Sequence, residues 1–230
     1  MANIKTKTAY LCSACGDDFP KWNGQCPTCK EWGTLSEFKV SKKKNGRTIE
    51  PRESKSLNDI LSAEPGERIA TGLKEADRVL GGGLLAGSLI LLGGNPGVGK
   101  STLALHICTG MGRKVLYISA EESEEQVALR ARRLKVSPDQ LFLSGENDLD
   151  GIITHIDRIQ PDLVVIDSIQ TIMNSGLDSL PGSPSQIRDC GQRLLEVSKH
   201  KNVAILIVGH VTKEGTIAGP KMLELSLIHI

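Results

Sequence analysis

Nine consecutive residues carry the densest chemical signal in this 230-residue chain: Gly94, Asn95, Pro96, Gly97, Val98, Gly99, Lys100, Ser101 and Thr102. They spell GxxxxGK[ST], with the apolar run 88–93 (SLILLG) before them and a helix-compatible segment to about Met111 after them. Strand, glycine loop and helix in that order are the setting a P-loop requires. Glycines let backbone N–H groups close around phosphates, the Lys100 ammonium reaches the β- and γ-phosphates, and the Ser101 hydroxyl ligates Mg2+. The competing reading is a chance glycine-rich turn, and the flanking strand and helix argue against it. No G-x-G-x-x-G string occurs, so a dinucleotide fingerprint has no support.

Acidic residues supply the rest of such a site. Asp167 ends the apolar run 163–167 (LVVID), where a carboxylate holds Mg2+ through water; capping a helix is the alternative. Glu121 follows the run 114–119 (KVLYIS), placed to orient and deprotonate an attacking water. It belongs to a cluster with Glu122, Glu124 and Glu125, most of which reads as a solvated first helical turn, and Glu122 is the second choice. His210 ends the run 203–209 (VAILIVG) and could sense a γ-phosphate or be structural, with Lys213 a weaker candidate beyond it.

A second chemical signal lies near the N-terminus. Cys12 and Cys15 form one CxxC, Cys26 and Cys29 another, ten residues apart. Two such knuckles aim four thiolates at one point, the tetrahedral S4 geometry zinc prefers. Two disulfides are the alternative, but no secretion signal supports them; a redox CxxC would want a thioredoxin-like strand pattern that is not visible. A segment of about 30 residues buries little core, so metal is expected to supply its folding free energy. Lys21, Trp22, Lys30 and Trp32 either contact nucleic acid or cover the metal site, and the sequence leaves both open. Cys108 and Cys190 have no partner at ligand spacing and read as buried small hydrophobes.

These residues must be positioned by elements, and the composition says which kinds. The net charge of +1 is a cancellation: residues 1–56 hold 11 Lys+Arg against 6 Asp+Glu, a net +5, and the remainder is net −4. A near-neutral total therefore does not exclude nucleic acid. Five of the seven aromatic residues lie in the first 38, so the later segment must build its core from Leu, Ile, Val and Ala. Apolar runs at 88–93, 114–119, 141–144, 163–167 and 203–209 alternate with helical patterns at 123–135, 150–159 and 185–199. That rhythm predicts an α/β fold, a mainly parallel sheet covered on both faces, preceded by the small zinc module. Ser123 and Gln126 predict a capping box. The expected organisation is a C4 zinc ribbon at 1–38, a basic flexible linker at 39–56, and an ATPase domain from 57. Loops at 174–184 and 212–221, rich in Gly, Ser and Pro, are candidates for coupling hydrolysis to a polymer, or are ordinary surface loops. No apolar stretch is long enough to span a membrane, and the start MANIKTKTAY has no apolar core of a signal peptide, so a cytoplasmic protein without a membrane partner is expected.

The motifs YLCSACG, KWNGQCPTCKEWGTL, TGLKEADRVLGGGLLAGSLILLGGNPGVGKST, YISAEES, LVVIDSIQT, PGSPSQIRDC and VGHVTKEGTIAGPKMLE together resemble the RadA (Sms) family, RecA-like ATPases of bacterial DNA repair. The resemblance covers almost everything from Tyr10 to Glu224. It implies a RecA-like core, zinc on Cys12, Cys15, Cys26 and Cys29, MgATP on Lys100, Ser101 and Asp167, and Glu121 as the catalytic glutamate. It also implies two DNA-binding loops, single-stranded DNA and branched recombination intermediates as partners, a homo-oligomeric ring or filament, and a recombinase or helicase as a further partner. DNA-stimulated ATP hydrolysis driving branch migration would be the activity. A nucleotide- and DNA- or protein-binding chain that does not hydrolyse, and a RecA-like signalling ATPase, are the alternatives. Family proteins run about twice as long and continue with a KNRFG motif and a Lon-protease-like domain, and residues 225–230 stop resembling them. The expectation is a truncated reading frame or an assembly artefact, with 57–224 an incomplete ATPase domain and 225–230 a tail foreign to the family.

Overall fold

Alternating apolar residues that serve two opposite faces explain the larger unit. In the computed structural model, which describes residues 7–12, 18–40, 54, 56–58, 67–136, 139–177, 179–210 and 228–229, the chain divides into Met1–Glu67 and Arg68–Ile230. The second unit begins with an antiparallel pair, β4 (Arg68–Ile69) and β5 (Leu84–Leu85), joined through helix α1 (Lys74–Val79). The main sheet follows: β6 (Leu89–Gly94), β7 (Val115–Ser119), β8 (Leu141–Ser144), β9 (Leu163–Asp167), β10 (Ala204–His210) and β11 (Ile228–His229). Its order is β11-β6-β10-β9-β7-β8, and every neighbouring pair is parallel.

Topology puts the helices on both faces. Helices α2 (Lys100–Gly110) and α3 (Glu124–Arg133) follow β6 and β7 as the chain moves outward to β8. Helices α4 (Leu149–Ile159) and α5 (Pro184–Lys201) carry it back to β9 and β10. Right-handed crossovers running in opposite directions place their helices on opposite faces. The strands obey: Ile90, Leu92, Tyr117, Val165 and Leu206 pack in one cluster with Ala104 and Leu105 of α2 and Val127 of α3. Their alternate neighbours Leu89, Leu91, Ile118, Val164 and Ile207 pack in the other with Ile152 of α4 and Leu194 of α5. Such strands are apolar on both sides because both sides are buried.

The helix boundaries have local causes. Ser123 and Gln126 form the predicted capping box at the start of α3. Asp148 caps α4 through the N–H groups of Asp150 and Gly151, and Ser183 caps α5 ahead of Pro184 in the first turn. Gln160 and Asn202 close α4 and α5 in the left-handed conformation, at φ 50° and 53°. The strand and helix ranges read from the sequence match these bounds to within a few residues. Cys108 and Cys190 are buried, on α2 and α5, and burial pushes both thiols up to about 12.

The first unit carries β1 (Lys7–Cys12), β2 (Asp18–Phe19) and β3 (Leu35–Val40), an antiparallel sheet in the order β2-β1-β3. Tyr10 pairs with Phe19 and Glu37, and Cys12 with Leu35. The central part of the expected linker, 41–50, and the loop 212–221 with Lys213 lie outside the described residues. Within 225–230, Ile228 and His229 pair with Ile90 and Leu91 at the sheet edge. No helix among the described residues is long and apolar enough to cross a membrane.

Candidate functional site

Four neighbouring parallel strands, β6, β10, β9 and β7, end along one rim, and nearly every residue singled out in the second unit sits there. Gly94 ends β6 in register with His210 at the end of β10. Asp167 ends β9, in register with Val208 of β10 and Ser119 of β7. The crevice beyond the carboxyl ends of such strands is where open α/β sheets bind ligands.

The loop leaves β6 at Gly94 and enters α2 at Lys100. Gly97 and Gly99 have φ of 80° and 96°, a backbone only glycine adopts without strain. A Cβ on either would meet nothing within 4 Å, so backbone conformation, not crowding, demands glycine and leaves open space over the loop. Asn95 through Gly99 are exposed, whereas Lys100 is buried and its Nζ donates to the carbonyls of Gly94 and Asn95, both at 2.9 Å. Gly99 offers no side-chain cap to α2. The first N–H groups of the helix therefore face a glycine loop, the donor set that suits a phosphate. Ser101 is half-buried and Thr102 exposed, one and two residues into the helix.

Strand alternation puts Asp167 on the α2 face of the sheet, in phase with Leu163 and Val165. Its carboxylate is nearly buried, at 8% exposure, and accepts a 2.5 Å hydrogen bond from the Tyr117 hydroxyl. Register explains the reach: Tyr117 lies opposite Val165, one diagonal step from Asp167. Burial first, then the Asp167 charge, raises the Tyr117 pKa, so the phenol stays a donor. The Asp167–Ser168 peptide bond is cis. Ser168 is fully buried, and its hydroxyl donates to Glu121 Oε1. Strand β7 thus holds the aspartate that ends β9, and the residue after β9 holds the glutamate that follows β7.

The glutamate cluster is sorted by its partners. Glu121 is exposed and bonded to Ser168 beside Asp167. Glu122 is engaged by Arg130 in an ion pair, and Glu124 accepts the Gly145 N–H at 2.9 Å. Glu125 carries a lowered pKa through the Ser123 hydroxyl at the helix start. Glu121 is thus the glutamate tied to the Asp167 segment, and it is open to solvent. Tyr117 and Ser168 were not singled out by sequence. For Tyr117 the one signal in the sequence is its being one of two aromatics after residue 38; Ser168 carries none.

The loop 174–184 is fastened at its base. The buried Gln186 side chain accepts from Asn174 N–H at 2.8 Å and donates to the carbonyls of Asn174 and Ser179, while Asn174 Nδ2 donates to Asp189 at 2.7 Å. Leu180 projects from it, 80% exposed. The structure brings together Gly94 to Thr102, Asp167, Glu121 and the backbone of His210.

In the first unit, Cys12 and Cys26 are buried and Cys29 half-buried, with the three sulfurs within 4.8 Å of one another. The Cys12 and Cys29 sulfurs are 3.7 Å apart, far beyond a disulfide bond. A tetrahedron with metal–sulfur arms of about 2.3 Å has edges of about 3.8 Å, so the spacing fits an S4 metal site. The Lys30 N–H donates to the Cys26 carbonyl at 2.9 Å with Lys30 at φ 59°, closing the second knuckle. Cys15 lies outside the described residues.

A glycine loop between a buried strand and a helix, with a carboxylate ending a strand two places along the same rim, defines a RecA-like P-loop protein. The chain belongs to the AAA domain family, whose model matches residues 56–216. A model described as a rubredoxin metal binding domain matches residues 10–37. Similar proteins include DNA repair protein RadA of Listeria monocytogenes, 47% identical over 97% of this chain, and of Bacillus subtilis, 45% identical over 96%. The Haemophilus influenzae RadA is 43% identical over 95%. The chain spans about half the length of these relatives, 50% in each case.

Proposed function

We propose that this chain is the zinc-ribbon and ATPase portion of a DNA-dependent ATPase of recombinational repair, one that processes recombination intermediates and promotes branch migration on single-stranded DNA. The observation that carries it is the gathering of the 94–102 loop, Asp167 and Glu121 on one rim, in a chain similar to named DNA repair proteins. Gly94 to Thr102 would cradle the phosphates of ATP, with Lys100 moving from the Gly94 and Asn95 carbonyls onto the β- and γ-phosphates. Ser101 and Asp167 would hold Mg2+, which screens charge building on the phosphate oxygens. Glu121, oriented by Ser168, would take the proton of the attacking water, and His210 would sense the γ-phosphate. Cys12, Cys15, Cys26 and Cys29 would hold Zn2+, which supplies folding free energy to a ribbon with little core.

The partners in this reading are single-stranded DNA and branched intermediates, other copies of the chain in a ring or filament, and a recombinase or helicase, all in the cytoplasm. Phosphate release with and without single-stranded DNA tests it. Stimulated turnover in the wild type, lost in Lys100→Ala, is expected. Nucleotide and DNA binding with no phosphate release would instead make the chain a binding module.

A further inference from the structure

The chain has two tryptophans, Trp22 and Trp32, and both are open to solvent, 61% and 73% exposed. The sequence leaves them two roles, covering the metal site or meeting nucleic acid. The structure separates these. Among the described residues, the buried cluster around the cysteine site is Cys12, Cys26 and Leu35, with Tyr10, Phe19 and Cys29 packed on it, and the two tryptophans lie outside it.

The indoles meet each other's neighbourhood instead. A Cβ placed on Gly24 would lie 3.6 Å from Cζ3 of Trp32 and 3.8 Å from Cη2 of Trp22, so both ring edges converge over one glycine. The backbone beneath them is held. Gln25 and Trp32 form a bridge, Gly33 N–H donates to the Gly24 carbonyl at 3.0 Å, and Gln25 Nε2 donates to the Lys30 carbonyl at 2.8 Å. Two aromatic faces on a fixed scaffold lose little entropy when something stacks on them.

Charge chooses the occupant. Lys21 and Lys30 are exposed in the same stretch, with Glu31 the acidic residue beside them, and residues 1–56 are net +5. Exposed π faces beside cations suit single-stranded nucleic acid, whose bases stack and whose phosphates pair with lysine. A duplex keeps its base faces to itself. We infer that Trp22 and Trp32 form a base-stacking platform for single-stranded DNA on the ribbon, separate from the nucleotide rim. The inference rests on the DNA dependence proposed above and adds a site to it.

The two indoles are their own reporter, because no other tryptophan contributes emission. The intact, zinc-loaded chain is titrated with an unstructured oligothymidylate, with a duplex of equal length and with polyglutamate. Saturable quenching by the single strand, weak response to the duplex and none to polyglutamate are expected. Binding of a labelled oligonucleotide, read by anisotropy, should weaken about 5- to 150-fold in Trp22→Ala and in Trp32→Ala, the range of one lost stacking contact. Trp→Phe at either position should retain most of the affinity. If an alanine variant loses zinc, the phenylalanine variants and the wild-type emission decide. Unchanged emission while the labelled strand binds, or zinc-loaded alanine variants with wild-type affinity, would overturn the platform and leave DNA dependence standing. An equal response to polyglutamate would overturn it in favour of an acidic protein partner. No binding of any DNA would remove both readings.

Discussion

Tyr117→Phe isolates one atom at the nucleotide rim. The ring is 1% exposed and packs among the α2-side cluster, so phenylalanine fills nearly the same volume. What disappears is the hydroxyl that donates to Asp167 Oδ2 at 2.5 Å. A hydrogen bond to a charged group contributes about 1.5–3 kcal/mol, and at 8% exposure Asp167 has little water to replace it. The variant should therefore unfold in urea with about 1.5–3 kcal/mol less stability in the absence of nucleotide. The phenol pKa is raised in the fold, so its contribution is full below the ordinary tyrosine value and fades as pH rises through the folded one. The deficit should be flat from about pH 6 to 9 and narrow above about pH 10. If Asp167 holds Mg2+ as proposed, freeing its carboxylate should also raise the Mg2+ concentration for half-maximal binding of a fluorescent ATP analogue about 10-fold, as loss of an outer partner to a metal ligand does. Metal-free nucleotide affinity should hardly change, since Lys100 and the loop are untouched. Stability within about 0.5 kcal/mol of wild type, together with an unchanged Mg2+ dependence, would refute the reasoning.

Gly110→Ala sets two effects against each other. Alanine gains about 1 kcal/mol of helix propensity, but its Cβ would lie 2.0 Å from the Thr71 carbonyl oxygen and 2.8 Å from Gly72 Cα, backbone that must shift at a cost of about 1–3 kcal/mol. Lower thermal stability is expected, and a melting temperature at or above wild type would show that the close approach is not limiting. Asp148→Ala should cost about 1 kcal/mol at pH 7 as a lost helix cap. Its carboxyl is held below the ordinary value of 3.8 by the Ser175 hydroxyl first and then by backbone N–H groups, so the charge-dependent part is present above that value and lost as pH falls below it. Acid unfolding should show Asp148→Asn keeping most of the cap, its difference from wild type shrinking below about pH 3.8; a difference unchanged to pH 2 would exclude this origin.

How far the site was legible depends on which contacts are local in sequence. The 94–102 loop is fixed by its own residues, because glycines at positive φ and a lysine opening the helix lie within nine positions. The capping box is equally local, three residues from Ser123 to Gln126. The preference for Glu121 over Glu122 rests on position alone, the nearer place to the end of β7. Both follow β7, and their difference is the company they keep: Arg130 eight residues on for one, Ser168 at 47 for the other. Tyr117 and Asp167 are 50 residues apart, and only the β7–β9 register puts them on one diagonal.

That register has a chemical consequence. Parallel pairing of β7 with β9 runs from Val115 opposite Leu163 to Ser119 opposite Asp167, so a slip by one residue would turn Tyr117 to the other face of the sheet. The same apolar alternation that buries Leu163, Val165 and Tyr117 against α2 and α3 therefore fixes which face Asp167 presents. Core packing and site chemistry are one constraint here: the hydrophobic phase of two strands selects the carboxylate's direction. The reciprocal bonds, Tyr117 to Asp167 and Ser168 to Glu121, then tie each acid to the other strand's segment. In the ribbon the logic runs the other way. Its core is small, the sulfurs of Cys12, Cys26 and Cys29 lie together within it, and among the described residues Trp22 and Trp32 stand outside that cluster.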